Sequence, residues 1–253
     1  MAEQAAPYLS VVVPAHNEEA RLGPTLEAMR KYLSAHGYEY EIVVVDDVSR
    51  DRTGQVALAF RETEPRLRLV RREANPGKGA AVQAGMLAAR GRYALFSDAD
   101  NSTPIAEAAK LLAAMEEGAD IAIGSRALPD SNLVVRQPWY REYMGRTFNL
   151  VVRLVALRQF PDTQCGFKCF RREVAQELFS HQTVSGWAFD VEILFMALRR
   201  GYRVVQVPVT WINSRESRVS PIRSSLQMLG DLVALRYKQV RGVYRWTRAR
   251  QAR

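Results

Sequence analysis

Along the first half of the chain, short apolar runs alternate with segments whose apolar residues recur every three or four positions. Residues 8–14 (YLSVVVP), 40–45 (YEIVVV), 67–71, 93–97 (YALFS) and 120–125 (DIAIGS) are strand-length and rich in β-branched or aromatic side chains, which predicts strands. Helical spacing fills the gaps at 18–36, 53–62, 79–90 and 104–117; in the first, Leu22, Leu26, Met29 and Leu33 share a face. The runs are too apolar for a sheet wetted on one side. Strand–helix alternation of this kind predicts an α/β fold, a mostly parallel sheet flanked by helices. Ligands of such sheets sit beyond the carboxyl ends of the strands. Acidic pairs stand there: Asp46 and Asp47 after the second run, Asp98 and Asp100 after the fourth.

The second half reads differently. Residues 140–158 are apolar over much of the helical circumference, with arginines spaced along them. Residues 204–209 (VVQVPV) predict one more strand, and 226–243 a basic amphipathic helix. Neither an internal repeat nor a low-complexity linker interrupts the chain. One domain over 1–253 is expected, with 8–130 and 131–253 as two functional halves.

Of the 253 residues, 47% are hydrophobic and 25% charged, an ordinary globular balance. The formal net charge of +9 points to an anionic partner: nucleic acid, anionic lipid or phosphate-bearing substrate. It is heaviest from Arg236 to Arg253, where Tyr237, Tyr244 and Trp246 are interleaved. A basic nucleic-acid binder would explain that tail but not acidic pairs at strand ends, so nucleic acid is not the expected partner. The two cysteines, Cys165 and Cys169, lack zinc spacing and a second pair, so buried free thiols are expected. Residues 1–7 have no apolar signal core, and no apolar run reaches about 18 residues. A cytoplasmic protein, peripheral on the inner face of a membrane, is the expectation.

Asp98 and Asp100 repel one another, and a divalent cation bridging them to a diphosphate would relieve the repulsion. Oxygen ligands suit Mg²⁺ or Mn²⁺; a turn or helix cap is the competing explanation. Asp46 and Asp47 can accept hydrogen bonds from a base or ribose. Residues 14–18 (PAHNE) line the same edge. In 75–79 (NPGKG), the glycines permit close backbone approach and Lys78 offers a cation to phosphate, without the spacing of a P-loop.

SVVVPAHNEEARL, VVVDDVSRDRT, NPGKGAAVQAG and FSDADNSTP stand in order along the chain. Together they resemble the nucleotide-sugar domain of family 2 inverting glycosyltransferases, the Rossmann-like GT-A fold. GSRA at 124–127, DTQCGFKCFRRE at 162–173 and WAFDVE at 187–192 resemble the dolichyl- or polyprenyl-phosphate β-glucosyltransferase branch, close to the dolichyl-phosphate mannose synthases. The resemblance spans about residues 8–240.

It implies roles position by position. Pro14, Ala15, Glu18 and Asp47, beside Asp46, would bind base and ribose. Lys78, Asp98 and Ala99 would hold the nucleotide. Apart from the resemblance, Lys168 stands after Gly166 where it would reach a diphosphate; a surface lysine is the other explanation. Asp98 and Asp100 would ligate Mg²⁺ or Mn²⁺. Arg126 and Arg141 would grip a lipid phosphate, and Asp190 would act beside Asp100 as a base or sugar-orienting group; a helix-terminal acid is the other explanation for Asp190. The implied reaction transfers a hexose from UDP-glucose to polyprenyl or dolichyl phosphate. A GDP-mannose donor or a non-lipid acceptor are the alternatives. The segment 133–158 and the helix at 226–246 would lie on the membrane surface as C-terminal interface helices, or pack on the sheet or on a second copy in a homo-oligomer. One residue departs from the family: Val48 stands where glycine usually follows the acidic pair, and valine resists positive φ.

Overall fold

The structure, a computed structural model, describes residues 6–75, 77–135, 157–212 and 221–244, with backbone alone at 135 and 221–226. Arg141 and nearly all of the apolar segment at 140–158 lie outside the described residues.

Five runs become parallel strands: β1 (Leu9–Ala15), β2 (Tyr40–Asp46), β3 (Leu67–Arg71), β4 (Tyr93–Ser97) and β5 (Ile121–Ser125). Later come β6 (Asn132–Val135), β7 (Phe167–Arg171), β8 (Val204–Pro208) and β9 (Thr210–Ile212). A seven-stranded sheet has the order β3-β2-β1-β4-β7-β5-β8, and β6 pairs with β9 in a small second sheet. Only β7 runs antiparallel in the large sheet, hydrogen-bonded to β4 and β5.

Alternation along the strands divides the core in two. Val12, Val43, Val45, Ala94 and Phe96 point to one face. There they meet α3 (Lys78–Ala88), α5 (Arg172–Ser180), α6 (Phe189–Arg200) and α7 (Pro221–Val240). Val11, Val13, Ile42, Val44 and Leu95 point to the other, under α1 (Leu22–Ser34), α2 (Thr53–Thr63) and α4 (Ala108–Glu116). Leu22, Leu26, Met29 and Leu33 of α1 are all buried, as their spacing predicts.

Register aligns the strand ends. Ala15 pairs with Asp46, Asp46 with Arg71, and Val12 with Phe96. The residues following β1, β2 and β4 therefore emerge on one rim. Because β7 is antiparallel, its start joins that rim: Ser97 pairs with Phe167, and the Asp98 amide donates to the Gly166 carbonyl at 3.1 Å.

Two elements escape the hydrophobic pattern. Strand β7 (FKCFR) carries the buried Lys168. Helix α6 is buried from Phe189 through Ala197 despite Asp190 and Glu192 in its first turn; those acids interrupt the stripe a buried helix would otherwise show.

Helix α7 is apolar on two sides. Met228, Leu232 and Leu235 pack into the core, while Leu229, Val233 (70% exposed), Tyr237 and Val240 (80% exposed) face outward. No helix among the described residues is long and apolar enough to cross a membrane.

Candidate active site at the sheet rim

Turn chemistry builds the rim. After β2, Asp46 accepts a hydrogen bond from the Ser49 amide at 3.1 Å, closing a tight turn. Val48 within it adopts φ +58°, and Asn17 and Asn101 in the turns after β1 and β4 adopt +56° and +53°. Asparagine tolerates this region; a β-branched residue is strained there. Valine thus takes the conformation for which glycine is the ordinary choice, its side chain only partly exposed.

Asp47 is nearly buried, with Arg72 Nη1 2.6 Å from its Oδ1. Burial raises its pKa against the opposing pull of Arg72. Its backbone is held on all sides. The amide donates to the Ala15 carbonyl, and His16 Nδ1 and Asn75 Nδ2 lie at 2.7 and 3.0 Å from its carbonyl oxygen. Pro14 and Ala15 lie against β2, and Ala15 is buried. Glu18 forms a two-pronged pair with Arg21, Nε and Nη2 each at 2.6 Å from an oxygen. Arg21 reaches on to Asp100 at 4.0 Å, so one cation links the turns after β1 and β4.

Around Asp98 the charges alternate. Lys78 Nζ, from the first turn of α3, lies 2.6 Å from Asp98 Oδ1. Lys168 Nζ lies 2.7 Å from Asp190 Oδ1 and donates to the Cys165 carbonyl at 2.6 Å. Both ammonium groups approach the Phe96 ring, at 5.8 and 5.3 Å, and Lys78 also approaches Trp187 at 5.4 Å. Burial opposes charge on Lys78, but Asp98, with Asp190 and Asp100 behind it, raises its pKa. Burial raises the Asp190 pKa against Lys168 and Lys78. Asp190 is 5% exposed, so it meets the site through Lys168. Ala99 is buried, and its carbonyl accepts from Thr25 Oγ1 at 2.8 Å.

Arg126 follows β5 and spends Nε and Nη2 on Asp162, at 2.7 and 2.8 Å. Its guanidinium carbon also lies 5.5 Å from the Trp211 ring. Burial would raise the Asp162 pKa, but Arg126 holds it at about 2. The end of β5 that carries Arg126 lies against the start of β7: a Cβ on Gly124 would stand 3.1 Å from the Phe167 carbonyl oxygen and 3.2 Å from Cys165 Sγ.

Gly166 makes the arrangement possible. A Cβ there would stand 2.7 Å from Asp98 Oδ1 and nearer still to Cγ and Oδ2. The carboxylate occupies space that only glycine leaves open. Asp98 and Asp100 offer hard oxygen donors, and the described residues hold no cluster of three or more His, Cys, Asp or Glu side chains suited to a metal. That donor set fits a cation shared with phosphate oxygens and water rather than an all-protein cage. Cys165 and Cys169 are free and buried, as expected.

The structure therefore brings Glu18, Lys78, Asp98, Asp100, Arg126, Lys168 and Asp190 to one rim, with Asp46 and Asp47 on its β2 side. Arg21, Arg72, Asp162, Gly166 and Trp187 are additions. Gly166 and Asp162 lie inside the DTQCGFK run, but their contacts depend on the antiparallel placement of β7.

The profile described as "Glycosyl transferase family 2" matches residues 10–179. The chain is 36% identical over 250 residues to the dolichyl-phosphate β-glucosyltransferase of Dictyostelium discoideum, covering 94% of this chain and 76% of that protein. It is 38% identical over 250 residues to the enzyme of that name from Drosophila melanogaster, covering 94% and 77%. For the human one the identity is 34% over 260 residues, covering 96% and 79%. Among solved structures, glucosyl-3-phosphoglycerate synthase from Mycobacterium tuberculosis, in complex with Mn²⁺, UDP and glucosyl-3-phosphoglycerate, superposes with a TM-score of 0.68. It is 22% identical and covers 90% of this chain and 80% of that one.

Proposed function

Because the chain belongs to glycosyl transferase family 2, we propose that it transfers glucose, with inversion, from UDP-glucose to dolichyl or a related polyprenyl phosphate. Relatives named dolichyl-phosphate β-glucosyltransferase align over most of both chains.

The observation that carries the reading is the charge alternation around Asp98. In the reaction an acceptor phosphate oxygen attacks the anomeric carbon, and the bond from that carbon to the donor diphosphate breaks. Negative charge moves onto the departing UDP. Lys78 stands where it can meet that charge, prepositioned by Asp98 and Trp187. Asp98 and Asp100 would hold Mg²⁺ or Mn²⁺, which when bound neutralises diphosphate charge. The base and ribose would lie along Pro14, Ala15, Glu18 and the Asp46–Asp47 turn.

A phosphomonoester loses its second proton near pH 6, so this acceptor arrives as its own nucleophile. An alcohol acceptor would demand an accessible base. Asp190, 5% exposed and paired with Lys168, suits a charge-holding role better than proton abstraction, which favours the phosphate acceptor. Arg126, aimed by Asp162, would receive the acceptor phosphate with the remaining edge of its guanidinium. The outer stripe of α7, next to Arg236 and Arg241, fits a protein resting on the cytoplasmic face of the membrane that carries the lipid.

The test is direct. The protein is incubated with Mg²⁺ or Mn²⁺, polyprenyl phosphate and either UDP-glucose or GDP-mannose, and the lipid fraction is weighed by mass spectrometry. A hexosyl phospholipid from UDP-glucose is expected. Product from GDP-mannose alone would reassign the donor, and no glycolipid from either would overturn the reading.

A further inference from the structure

Glu192 has no place in the reaction above, yet it is fully buried and saturated with donors. Its Oε2 accepts from the Thr183 and Val184 amides at 2.9 and 2.8 Å. Its Oε1 accepts from the Thr183 hydroxyl and, at 2.6 Å, from the Tyr244 hydroxyl. The Thr183 hydroxyl in turn accepts from Lys238 Nζ at 2.6 Å. One carboxylate thus ties α7 and the turn after it to the segment 182–187. A buried acid is costly unless every lone pair is used, and a core-filling helix has no need of one.

The segment's other side grips the start of α3. The Ala80 amide donates to the Ser185 carbonyl at 3.2 Å, and Gln182 Nε2 donates to the Gly79 carbonyl at 3.0 Å. The packing is backbone against backbone. A Cβ on Gly77 would stand 2.7 Å from the Ser185 carbonyl oxygen, and one on Gly79 2.8 Å from that of Gly186. Trp187 ends the segment beneath the Lys78 ammonium.

We propose that Glu192 is a positioning residue through which the C-terminal segment, by Tyr244 and Lys238, sets Lys78 against the donor diphosphate. The proposal rests on the reading that Lys78 meets that diphosphate. None of Glu192, Tyr244 and Lys238 needs to touch a ligand: they hold the 182–187 segment, and the segment holds the first turn of α3. The side of α7 opposite this contact is its exposed apolar stripe, so whatever the stripe rests on is linked to nucleotide binding through two residues.

A double-mutant cycle tests it on the full-length chain. UDP affinity is measured by calorimetry for wild type, Tyr244→Phe, Lys78→Met and the double variant, with the unfolding midpoint of each. Tyr244→Phe is expected to weaken UDP binding about fivefold or more, and to lose most of that effect in the Lys78→Met background. An unchanged affinity in Tyr244→Phe overturns the proposal, as does an equal loss in both backgrounds. A purely structural bond would lower the midpoint alone. If Lys78→Met itself leaves UDP binding intact, the underlying reading of Lys78 fails and the proposal with it. Lys238→Met, made at a surface contact, repeats the cycle should Tyr244→Phe fold poorly.

Discussion

Replacing Gly166 with alanine adds one methyl group and separates folding from function at this rim. The backbone tolerates the change, since Gly166 is not among the positive-φ glycines. The new Cβ would fall 2.7 Å from Asp98 Oδ1 and closer to the rest of the carboxylate. Ordinary carbon contacts begin near 3.5 Å, so the carboxylate must retreat by roughly 1 Å or more. It can do so by rotating toward the solvent side, because Asp98 is only partly buried. The folding cost is then mainly the Lys78–Asp98 pair, about 1 kcal/mol because both side chains keep part of their surface in water. Function is less forgiving: an error of about 1 Å in a positioning group costs about 10²-fold, or roughly 2.7 kcal/mol of activation energy. Glucosyl transfer by Gly166→Ala should show kcat/KM lowered about a hundredfold, with Tm shifted by no more than about 4 °C. Transfer within about threefold of wild type would refute the argument. A large loss of Tm would also refute it, because the collision would then be felt by the backbone.

Two further substitutions probe the same rim. Val48→Gly removes a β-branched side chain from φ +58°; strain relief of about 1–3 kcal/mol outweighs a glycine entropy cost of about 1, so urea unfolding should show a gain of about 1 kcal/mol, and a loss would mean the side chain packs better than its exposure suggests. Asp162, held at about 2 against an ordinary 3.8, contributes about 2 kcal/mol. Its pKa is lowered by folding, so that stability is complete above about pH 4 and disappears as the pH falls toward 2. The urea-unfolding difference between wild type and Asp162→Asn should shrink across that window, and a pH-independent difference would contradict the pairing.

The sheet's parallel half was legible because each strand buries both faces and so reads as an unbroken apolar run. Residues after β1, β2 and β4 could be placed on one rim from that pattern alone. Strand β7 was not legible, because Lys168 breaks the run that marks a central strand, and its compensation by Asp190 comes from a helix further along the chain. The same gap hid Gly166 and Asp162, whose meaning lies in what β7 brings beside β4 and β5. Arg126 entered only through the family resemblance of GSRA, as a phosphate ligand, and not as the bound partner of Asp162. For α7 the amphipathic pattern was visible while its assignment of faces was not. Met228, Leu232 and Leu235 turn into the core, and a second apolar row, not the first, faces out.

The chain's two thiols, Cys165 and Cys169, are both interior, and burial pushes Cys165 up to about 11. The folded surface is therefore silent toward maleimides and other thiol probes at neutral pH. A single cysteine introduced at Val233 or Val240 can carry a fluorophore or spin label without any native residue being removed first, and its signal would come from that spot alone.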